Sequence, residues 1–327
     1  MFSFLTSLLL TLITQSPASP IDTNHQGVEP QPLVFGMSTA LTGPAGELGQ
    51  EMRRGVLAAF SEINANGGIK GRPLKLIALD DGYEPKVTVP NMKKLISEHQ
   101  SLAVIGNVGT PTAVSALPLV EEFGIPFVFP YTGAGNLRLK KPSSWVTNYR
   151  ASYAQETAAM VDALMDVGGL KPEDIAFFTQ RDSYGDAGFL GGVAALERRG
   201  LKSRNEIAHG RYERNTLAVE KGFAEILMAK VQPKAVIMVG TYAPCAKVIR
   251  LAREYQLEIL FLNVSFVGAT SLASQLGEDA DDVIVTQVVP HFHSELKLVK
   301  EYRKALRAGE ENLPLDKRTA FSFPSLP

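Results

Sequence analysis

The sequence contains a single cysteine, Cys245, among 327 residues. One cysteine excludes an intramolecular disulfide and any metal site built from several cysteines. An excess of charge of one sign is also lacking, because 33 Lys and Arg stand against 34 Asp and Glu and leave a formal net charge of -1. A nucleic-acid-binding protein needs a basic excess to contact phosphates, so this balance argues against nucleic acid as a partner.

Long apolar runs are missing from the body of the chain, and the N-terminus carries only a short one. Residues 1–18 combine that apolar stretch with small residues at its end. The pattern predicts a signal peptide over 1–18, too short to span a bilayer, followed by a disordered lead-in over 19–32. We therefore expect an exported, soluble protein in the periplasm. Because no cysteine lies near the predicted cleavage site, we expect no lipid anchor.

Recognisable catalytic motifs are also absent from the sequence. It has no G-x-G-x-x-G after a strand, no P-loop and no G-x-S-x-G nucleophile elbow. His291 and His293 lack nearby carboxylates, so we interpret them as incidental rather than as metal ligands. The neighbouring Asp80 and Asp81 should point to opposite faces of a strand, which prevents them from acting as a carboxylate pair. These absences predict a protein that is not an enzyme and that holds no cofactor and no metal.

From residue 33 onward, short β-branched runs alternate with segments of helical periodicity. Met52, Val56 and Phe60 recur at four-residue steps and predict one buried helix face. The alternation restarts after a break near residues 143–149. Repeated strand–helix–strand units predict parallel sheets with helices on both faces, and the length fits two domains. The predicted class is therefore α/β with two similar lobes, the second containing strands at 175–178, 203–207, 235–238 and 259–262.

Ligands of open parallel sheets bind where the loops at the carboxyl ends of the strands converge. Thr110 precedes a predicted helix over 111–123, and its hydroxyl with the free helix amides suits a carboxylate. The alternative is that Thr110 only caps that helix. The segment Tyr131-Thr132-Gly133 follows a predicted strand and offers backbone amides to a small polar ligand, or forms an ordinary turn.

Three tyrosines open, or lie beside, helices that are predicted to follow strands of the second lobe. They are Tyr153, Tyr184 and Tyr242. A tyrosine presents a flat apolar ring and one hydroxyl, which suits a ligand held in a closing cleft. Ordinary half-buried packing is the alternative for each of them.

Several segments together carry a family signature. They are 35–44, Ile63-Asn-Ala-Asn-Gly-Gly-Ile-Lys-Gly-Arg-Pro-Leu74, Asp80-Asp81, Ile105-Gly106 with Thr110, Gly124-Ile-Pro126, Asp182-Ser-Tyr-Gly185 and Gly240-Thr-Tyr242. Over residues 33–323 the chain resembles type I periplasmic binding proteins of the leucine/isoleucine/valine-binding group. The segment from Ile63 to Leu74 is the most specific part of this resemblance.

The resemblance implies two Rossmann-like lobes with parallel sheets joined by a multi-strand hinge. Lobe one would comprise 33–146 plus 290–327, and lobe two would comprise 149–287. A small-molecule ligand would lie between the lobes, held by Thr110 and the 131–133 loop and covered by tyrosines of the second lobe, here Tyr184 and Tyr242. The implied partner is the membrane permease of an ABC importer, and the implied state is a monomer.

Three departures from the family pattern stand out. Where amino-acid binders of this group often carry an acidic residue, this chain has Asn263-Val264-Ser265-Phe266, so Ser265 takes that place in the predicted site. An unpaired buried ammonium is costly, which argues against an α-amino acid. The predicted ligand is a small polar molecule, namely an amino acid, an amide or a related carboxylate. Leu48 stands where an aromatic wall is common. The sequence also ends early, at Pro327, which predicts an incomplete, destabilised first lobe.

Three other interpretations of the sequence remain open. The chain can be a ligand-sensing regulatory receptor on the same fold, an α/β enzyme, or a truncated, inactive remnant. The leading interpretation is a solute-binding component of an ABC importer. Permease and ATPase genes beside this one would favour the importer over the sensor, and turnover of any compound would favour the enzyme.

Overall fold

The structure is a computed structural model that describes residues 30–138 and 143–311. The first of its two sheets is entirely parallel, with the strands in the order β2–β1–β3–β4–β5. These strands are β1 (Leu33–Thr39), β2 (Leu74–Asp80), β3 (Ala103–Ile105), β4 (Phe127–Val128) and β5 (Val146–Thr147).

Three helices connect the strands of the first sheet, namely α1 (Gly46–Ala65), α2 (Pro85–Ser97) and α3 (Thr110–Phe123). The end of α1 matches the prediction, because Gly67 follows it with a φ of 91° that a side chain would disfavour. Helices α2 and α3 pack on the sheet around Met92, Val104, Val120 and Phe127, which are all fully buried. This cluster forms the core of the first lobe.

The second sheet is also entirely parallel and has the order β10–β9–β8–β6–β7. Its strands and the remaining helices follow in chain order: α4 (Tyr153–Asp166), β6 (Ile175–Gln180), α5 (Ser183–Arg198), β7 (His209–Tyr212), α6 (Glu220–Leu227), β8 (Ala235–Val239), α7 (Tyr242–Glu254), β9 (Leu260–Asn263), α8 (Ala269–Leu276), β10 (Val283–Val285) and α9 (Lys297–Glu311). The predicted α/β class with two parallel-sheet lobes is confirmed.

Strands β6 and β8 lie in the middle of the second sheet, and every residue of both is buried. Helices cover both faces of a parallel sheet, so a central strand needs apolar side chains on both faces. This explains why their sequences are nearly continuous apolar runs rather than alternating ones. The same requirement made these two strands easy to predict.

The predicted strand at 203–207 is wrong. Residues Arg204–Glu206 form a short 3-10 turn, and the Ser203 hydroxyl caps it by accepting a hydrogen bond from the amide of Asn205. The strand is instead β7, at the edge of the sheet, where only alternate residues are buried. An edge strand can carry polar residues on its open side, which is why the sequence HGRY gave no strand signal.

The chain passes between the lobes at residues 148–152, before α4, and again after β10. Tyr153 therefore follows β5 of the first sheet, not a strand of the second lobe as predicted. Helix α9 packs on α1, where Ala305 and Leu306 cover Ala58. The predicted signal peptide, most of the lead-in and the end of the chain lie outside the described residues. No helix in the described part of the chain is both long and apolar enough to cross a membrane.

Candidate functional site

The carboxyl ends of the two sheets face each other and are in direct contact. Tyr83 follows β2, and its hydroxyl accepts a hydrogen bond from the Gln180 side chain at the end of β6, at 3.3 Å. Tyr131 follows β4, and its hydroxyl donates to the carbonyl oxygen of Ser265, after β9, at 3.4 Å. The loops that follow the strands of both lobes therefore form one cleft, which is closed in this structure.

Thr110 and Thr132 meet on the first-lobe wall of this cleft. Their hydroxyl oxygens lie 2.6 Å apart and both side chains are fully buried. The N-cap of α3 is Gly109, so the alternative that Thr110 caps the helix is wrong. Gly109 has a φ of 103°, and a Cβ there would lie 2.0 Å from the Tyr83 ring. Only glycine fits at that position, and the Thr110 hydroxyl contacts Thr132 rather than capping the helix.

Gly133 connects the first lobe to the start of α4. Its carbonyl oxygen accepts a hydrogen bond from the amide of Tyr153 at 2.8 Å, and a Cβ on Gly133 would lie 2.7 Å from the Tyr153 ring. Burial raises the pKa of Tyr153 to about 12, so its hydroxyl stays protonated at neutral pH. The close approach of the two backbones requires glycine in the 131–133 loop.

Phe266 occupies the centre of the cleft and is fully buried. Its ring centroid lies 5.1 Å from that of Tyr131 and 4.7 Å from that of Tyr184. The rings of Tyr83 and Tyr153 stand slightly further away, at 6.3 Å and 6.4 Å. Such tilted and edge-on aromatic contacts are favourable, so four tyrosines from both sides of the cleft pack around one phenyl ring.

The outer part of the cleft joins Leu48 of α1 to the second lobe. A Cβ on Gly268 would lie 2.8 Å from Cδ2 of Leu48 and 3.6 Å from the ring of Tyr242. Tyr184 lies deeper, where its hydroxyl donates to the carbonyl oxygen of Gly240 at 3.1 Å. Burial raises the pKa of Tyr184 well above its ordinary value, so it acts here as a neutral hydrogen-bond donor.

A charged cluster lies at the hinge end of the cleft, around Arg150 and Glu156. Arg150 is only 5% exposed; its guanidinium carbon lies 4.3 Å from the centre of the Tyr131 ring, and Nη2 donates to the Ser265 hydroxyl. Oε2 of Glu156 accepts hydrogen bonds from the Ser265 amide at 2.8 Å and the Thr286 hydroxyl at 2.6 Å. The two charged groups face each other with Nη2 and Oε1 3.9 Å apart.

A second arginine, Arg138, supports the 131–133 loop from behind. It donates to the carbonyl oxygens of Ala134, Thr132 and Arg150 at 3.0 to 3.3 Å. Burial lowers the pKa of Arg138, and the positive charge of Arg150 adds to this effect. The two guanidinium groups therefore concentrate positive charge at the hinge end of the cleft.

Polar contacts between the lobes close the cleft at the opposite end. Arg214, after β7, donates to Glu84 of the first lobe at 2.8 Å and to Asp182 of its own lobe at 3.0 Å. Asn215 donates to Glu84 at 2.8 Å and to the carbonyl oxygen of Gly82 at 2.9 Å. We call Arg214, Asn215, Glu84 and Gly82 the rim latch.

Asp80 and Asp81 each have their own hydrogen-bond partners. Asp81 accepts hydrogen bonds from the hydroxyls of Ser38 and Thr88, and burial raises its pKa to about 6. Asp80 binds the neighbouring loop through Thr42. Within residues 30–138 and 143–311, no group of three or more His, Cys, Asp or Glu side chains is placed to hold a metal ion.

All the residues singled out from the sequence line the closed cleft or touch a residue that does: Leu48, Thr110, Tyr131, Thr132, Gly133, Tyr153, Tyr184, Tyr242 and Ser265. Their role in binding a ligand stays a prediction. Four further residues of the cleft were not predicted from the sequence: Phe266, Tyr83, Arg150 and Glu156. A usable signal existed for Glu156, which is a charged residue on the buried stripe of α4 beside Tyr153 and Met160.

The family model described as periplasmic binding protein matches residues 32–317. This chain belongs to that family. The predicted resemblance to leucine/isoleucine/valine-binding proteins is thereby confirmed at the level of the family, and two parallel lobes with a cleft between their strand ends are its architecture. The family consists of solute-binding proteins.

Similar proteins include members named for amino-acid binding. The Leu/Ile/Val-binding protein of Escherichia coli K12 is 26% identical over 84% of this chain and 71% of its own length. The leucine-specific-binding protein of Salmonella typhimurium is 27% identical over 88% of this chain and 75% of its own length. The crystal structure of a possible leucine/isoleucine/valine-binding protein from Rhodopirellula baltica is 56% identical, with a TM-score of 0.84 over 89% of this chain and 78% of that one.

Proposed function

We propose that this chain is the extracytoplasmic solute-binding component of an ABC importer, which binds a small polar ligand by hinge closure. The observation that carries the proposal is the cleft itself, where hydroxyls, backbone amides and tyrosine rings of both lobes surround Phe266. A ligand between two lobes that rotate about a hinge stabilises their closed arrangement. The names of the related proteins support an amino acid as the ligand. We include amides and related carboxylates, because Ser265 offers no charge to an ammonium group.

Thermal unfolding in the presence of candidate ligands tests this proposal. A ligand that binds only the native state raises the unfolding temperature, by an amount that depends on its concentration relative to Kd. A screen should cover amino acids, amides, urea-like compounds and aliphatic and aromatic acids, and each hit should be confirmed by calorimetry. If no compound of these classes raises the unfolding temperature, the proposal is wrong.

The proposed partner is a membrane permease that recognises the closed, liganded protein. Stimulation of ATP hydrolysis by the reconstituted permease and ATPase, in the presence of this chain and its ligand, would support the importer. Regulatory binding to a different protein would support the alternative, a ligand-sensing receptor on the same fold. Analytical ultracentrifugation checks the proposed monomeric state.

We propose further that the chain does not catalyse a reaction. The cleft groups that could act as nucleophile or base are engaged in other contacts, since the Thr110 hydroxyl bonds Thr132 and Asp182 caps α5. Incubating each ligand found by the screen with the protein, followed by chromatography of the mixture, tests this statement. Any product formed at more than the rate of the buffer control would contradict it.

A further inference from the structure

Arg150 is a buried cation with unused hydrogen-bonding capacity. Its Nε and Nη1 atoms have no hydrogen-bond partner among the residues described, although only 1% of the side chain is exposed. A guanidinium has five N–H donors and cannot lose its charge at neutral pH. Buried charged donors are normally paired, so Arg150 is the group at this end of the cleft that most requires a further acceptor.

The charges around Arg150 leave an excess of one positive charge. Glu156 is the carboxylate that faces it, and Oε2 of that carboxylate already accepts two hydrogen bonds. Arg138 adds a second cation, whose donors go to carbonyl oxygens rather than to an acid. Two guanidinium groups and one carboxylate make a site that favours an anion over a cation.

This cationic cluster lies directly behind the aromatic centre of the cleft. Arg150 stacks on the ring of Tyr131 and donates a hydrogen bond to Ser265. Both of these residues adjoin Phe266: the Tyr131 ring contacts the Phe266 ring, and Ser265 precedes Phe266 in the chain. A ligand that displaces the Phe266 ring therefore brings one of its ends within reach of the guanidinium. The rest of such a ligand meets Leu48 and the tyrosine rings, which are buried and largely apolar.

Among the residues that the structure describes, the cleft carboxylates are already engaged: Glu84 and Asp182 pair with Arg214, and Glu156 faces Arg150. Ser265 is neutral, and the carboxylate that accepts a hydrogen bond from its amide is Glu156. Glu156 has one unpaired oxygen, Oε1, but that oxygen faces Arg150. A ligand ammonium at Oε1 would lie beside a buried guanidinium, and two like charges at that distance repel strongly in a poorly solvated site.

We propose that the ligand is an organic monocarboxylate with an apolar or aromatic body and no ammonium group, and that Arg150 binds its carboxylate. This inference rests on the proposed function and narrows its ligand class. A carboxylate supplies charge-assisted acceptors for the unused N–H groups of Arg150 and cancels the excess positive charge. Thr110 and the 131–133 loop then contact the part of the ligand that adjoins its carboxylate.

Matched sets of compounds test the ligand class by calorimetry. One set is 4-methylpentanoate, leucine, 4-methylpentanamide and 3-methylbutan-1-amine; the other is 3-phenylpropanoate, phenylalanine, 3-phenylpropanamide and 2-phenylethylamine. In at least one set, we expect the acid to bind about tenfold or more tightly than the amino acid and the amide, and the amine not to bind. An amino acid that binds more tightly than its deaminated acid overturns the inference, while the proposed function stands.

Variants test the assignment to Arg150. Arg150→Gln should reduce the preference for the acid over the amide from about tenfold to near unity, because the neutral side chain no longer favours an anion. The double variant Arg150→Gln/Glu156→Gln avoids leaving Glu156 as an unpaired buried charge and serves if the single variant does not fold. Arg204→Gln is the control, because Arg204 pairs with Glu197 on the surface, and it should keep the full preference.

The remaining outcomes separate the two proposals. If the acid is preferred but the preference survives in the folded single or double variant, Arg150 is not the anchor and the inference is overturned. If the protein binds only uncharged or cationic compounds, the inference is also overturned and the proposed function stands. If neither the matched sets nor the wider screen yields any ligand, both fail together.

Discussion

The hydroxyl oxygens of Thr110 and Thr132 lie 2.6 Å apart, although Thr110 begins α3 after β3 and Thr132 lies in the loop after β4. Thr132 also accepts a hydrogen bond from the amide of Ala134 at 3.1 Å, so this part of the loop stays anchored if Thr110 is changed. Thr110→Ala should weaken ligand binding by roughly 1–3 kcal/mol, because one hydroxyl of a buried polar pair is lost. Calorimetry with the ligand found by the screen measures the change.

The control for this substitution is Ser97→Ala. Ser97 is an exposed residue of α2 whose hydroxyl bonds the carbonyl oxygen of Lys93 at 2.6 Å, far from the cleft. It should leave the affinity unchanged. An unchanged affinity in Thr110→Ala as well would remove Thr110 from the ligand site.

Gly133→Ala should disturb both the 131–133 loop and the start of α4. The new Cβ would lie 2.8 Å from the backbone nitrogen of Tyr153, which is too close, so one of the two backbones must move. Overpacking of this kind typically costs about 1–3 kcal/mol. We expect a lower unfolding temperature and weaker ligand binding. Gly135→Ala is the matched control, because a Cβ there meets no atom within 4 Å, and equal effects of the two substitutions would contradict the prediction.

Arg214→Gln should loosen the rim latch and shift the ligand-free protein toward a more open form. The ion pair of Arg214 and Glu84 joins the lobes and is only partly exposed. Its loss should therefore reduce the free energy that favours the closed form by up to about 1 kcal/mol. Small-angle X-ray scattering should show a larger radius of gyration for the variant. Raising the salt concentration should have the same effect on the wild type and little on the variant.

Arg181→Gln is the control for the latch. Arg181 pairs with Glu213 next to Arg214, but both residues belong to the second lobe. It should therefore leave the radius of gyration unchanged. A radius for Arg214→Gln that equals the wild-type value would show that the latch does not hold the lobes together.

The buried His209 should make the folded protein less stable in weak acid. Burial lowers its pKa from 6.5 to about 4, and its ring stacks on Phe189 while Nε2 bonds the Thr179 hydroxyl. Between those two pH values the unfolded chain binds a proton that the folded protein does not, so stability falls as the pH falls from about 6.5 to 4. His209→Gln removes this titration. Thermal unfolding across that range should show a shallower decline for the variant, and identical declines would refute the prediction.

The central strands of both sheets were predictable because burial on two faces demands continuous apolar runs, as in β6 and β8. The edge strand β7 was not predictable, because polar residues such as those of HGRY can lie on its open side. The loop after β7 carries Arg214 and Asn215 of the rim latch. Because the sequence does not indicate a strand end there, these two residues could not be predicted as part of the cleft.

The tyrosine and threonine residues of the cleft were predictable because they follow strands at their carboxyl ends, where loops converge. Arg150 and Glu156 were harder to predict, since they become partners only when the hinge segment, α4 and the loop after β9 meet at Ser265. In this cluster, Arg150 and Glu156 are both more than a hundred residues away from Ser265 in the sequence. Local periodicity carries no information on contacts of that range.

The Phe266 ring occupies the space that a ligand between the lobes would need. A guest molecule has to replace the contacts that the phenyl ring already makes with four tyrosines, so the measured affinity is a difference between two sets of contacts rather than a sum of one. We therefore expect a strongly hydrated solute such as a sugar, which offers no comparable apolar surface, to bind poorly. The Phe266 side chain would in this way select for compounds with an apolar or aromatic body.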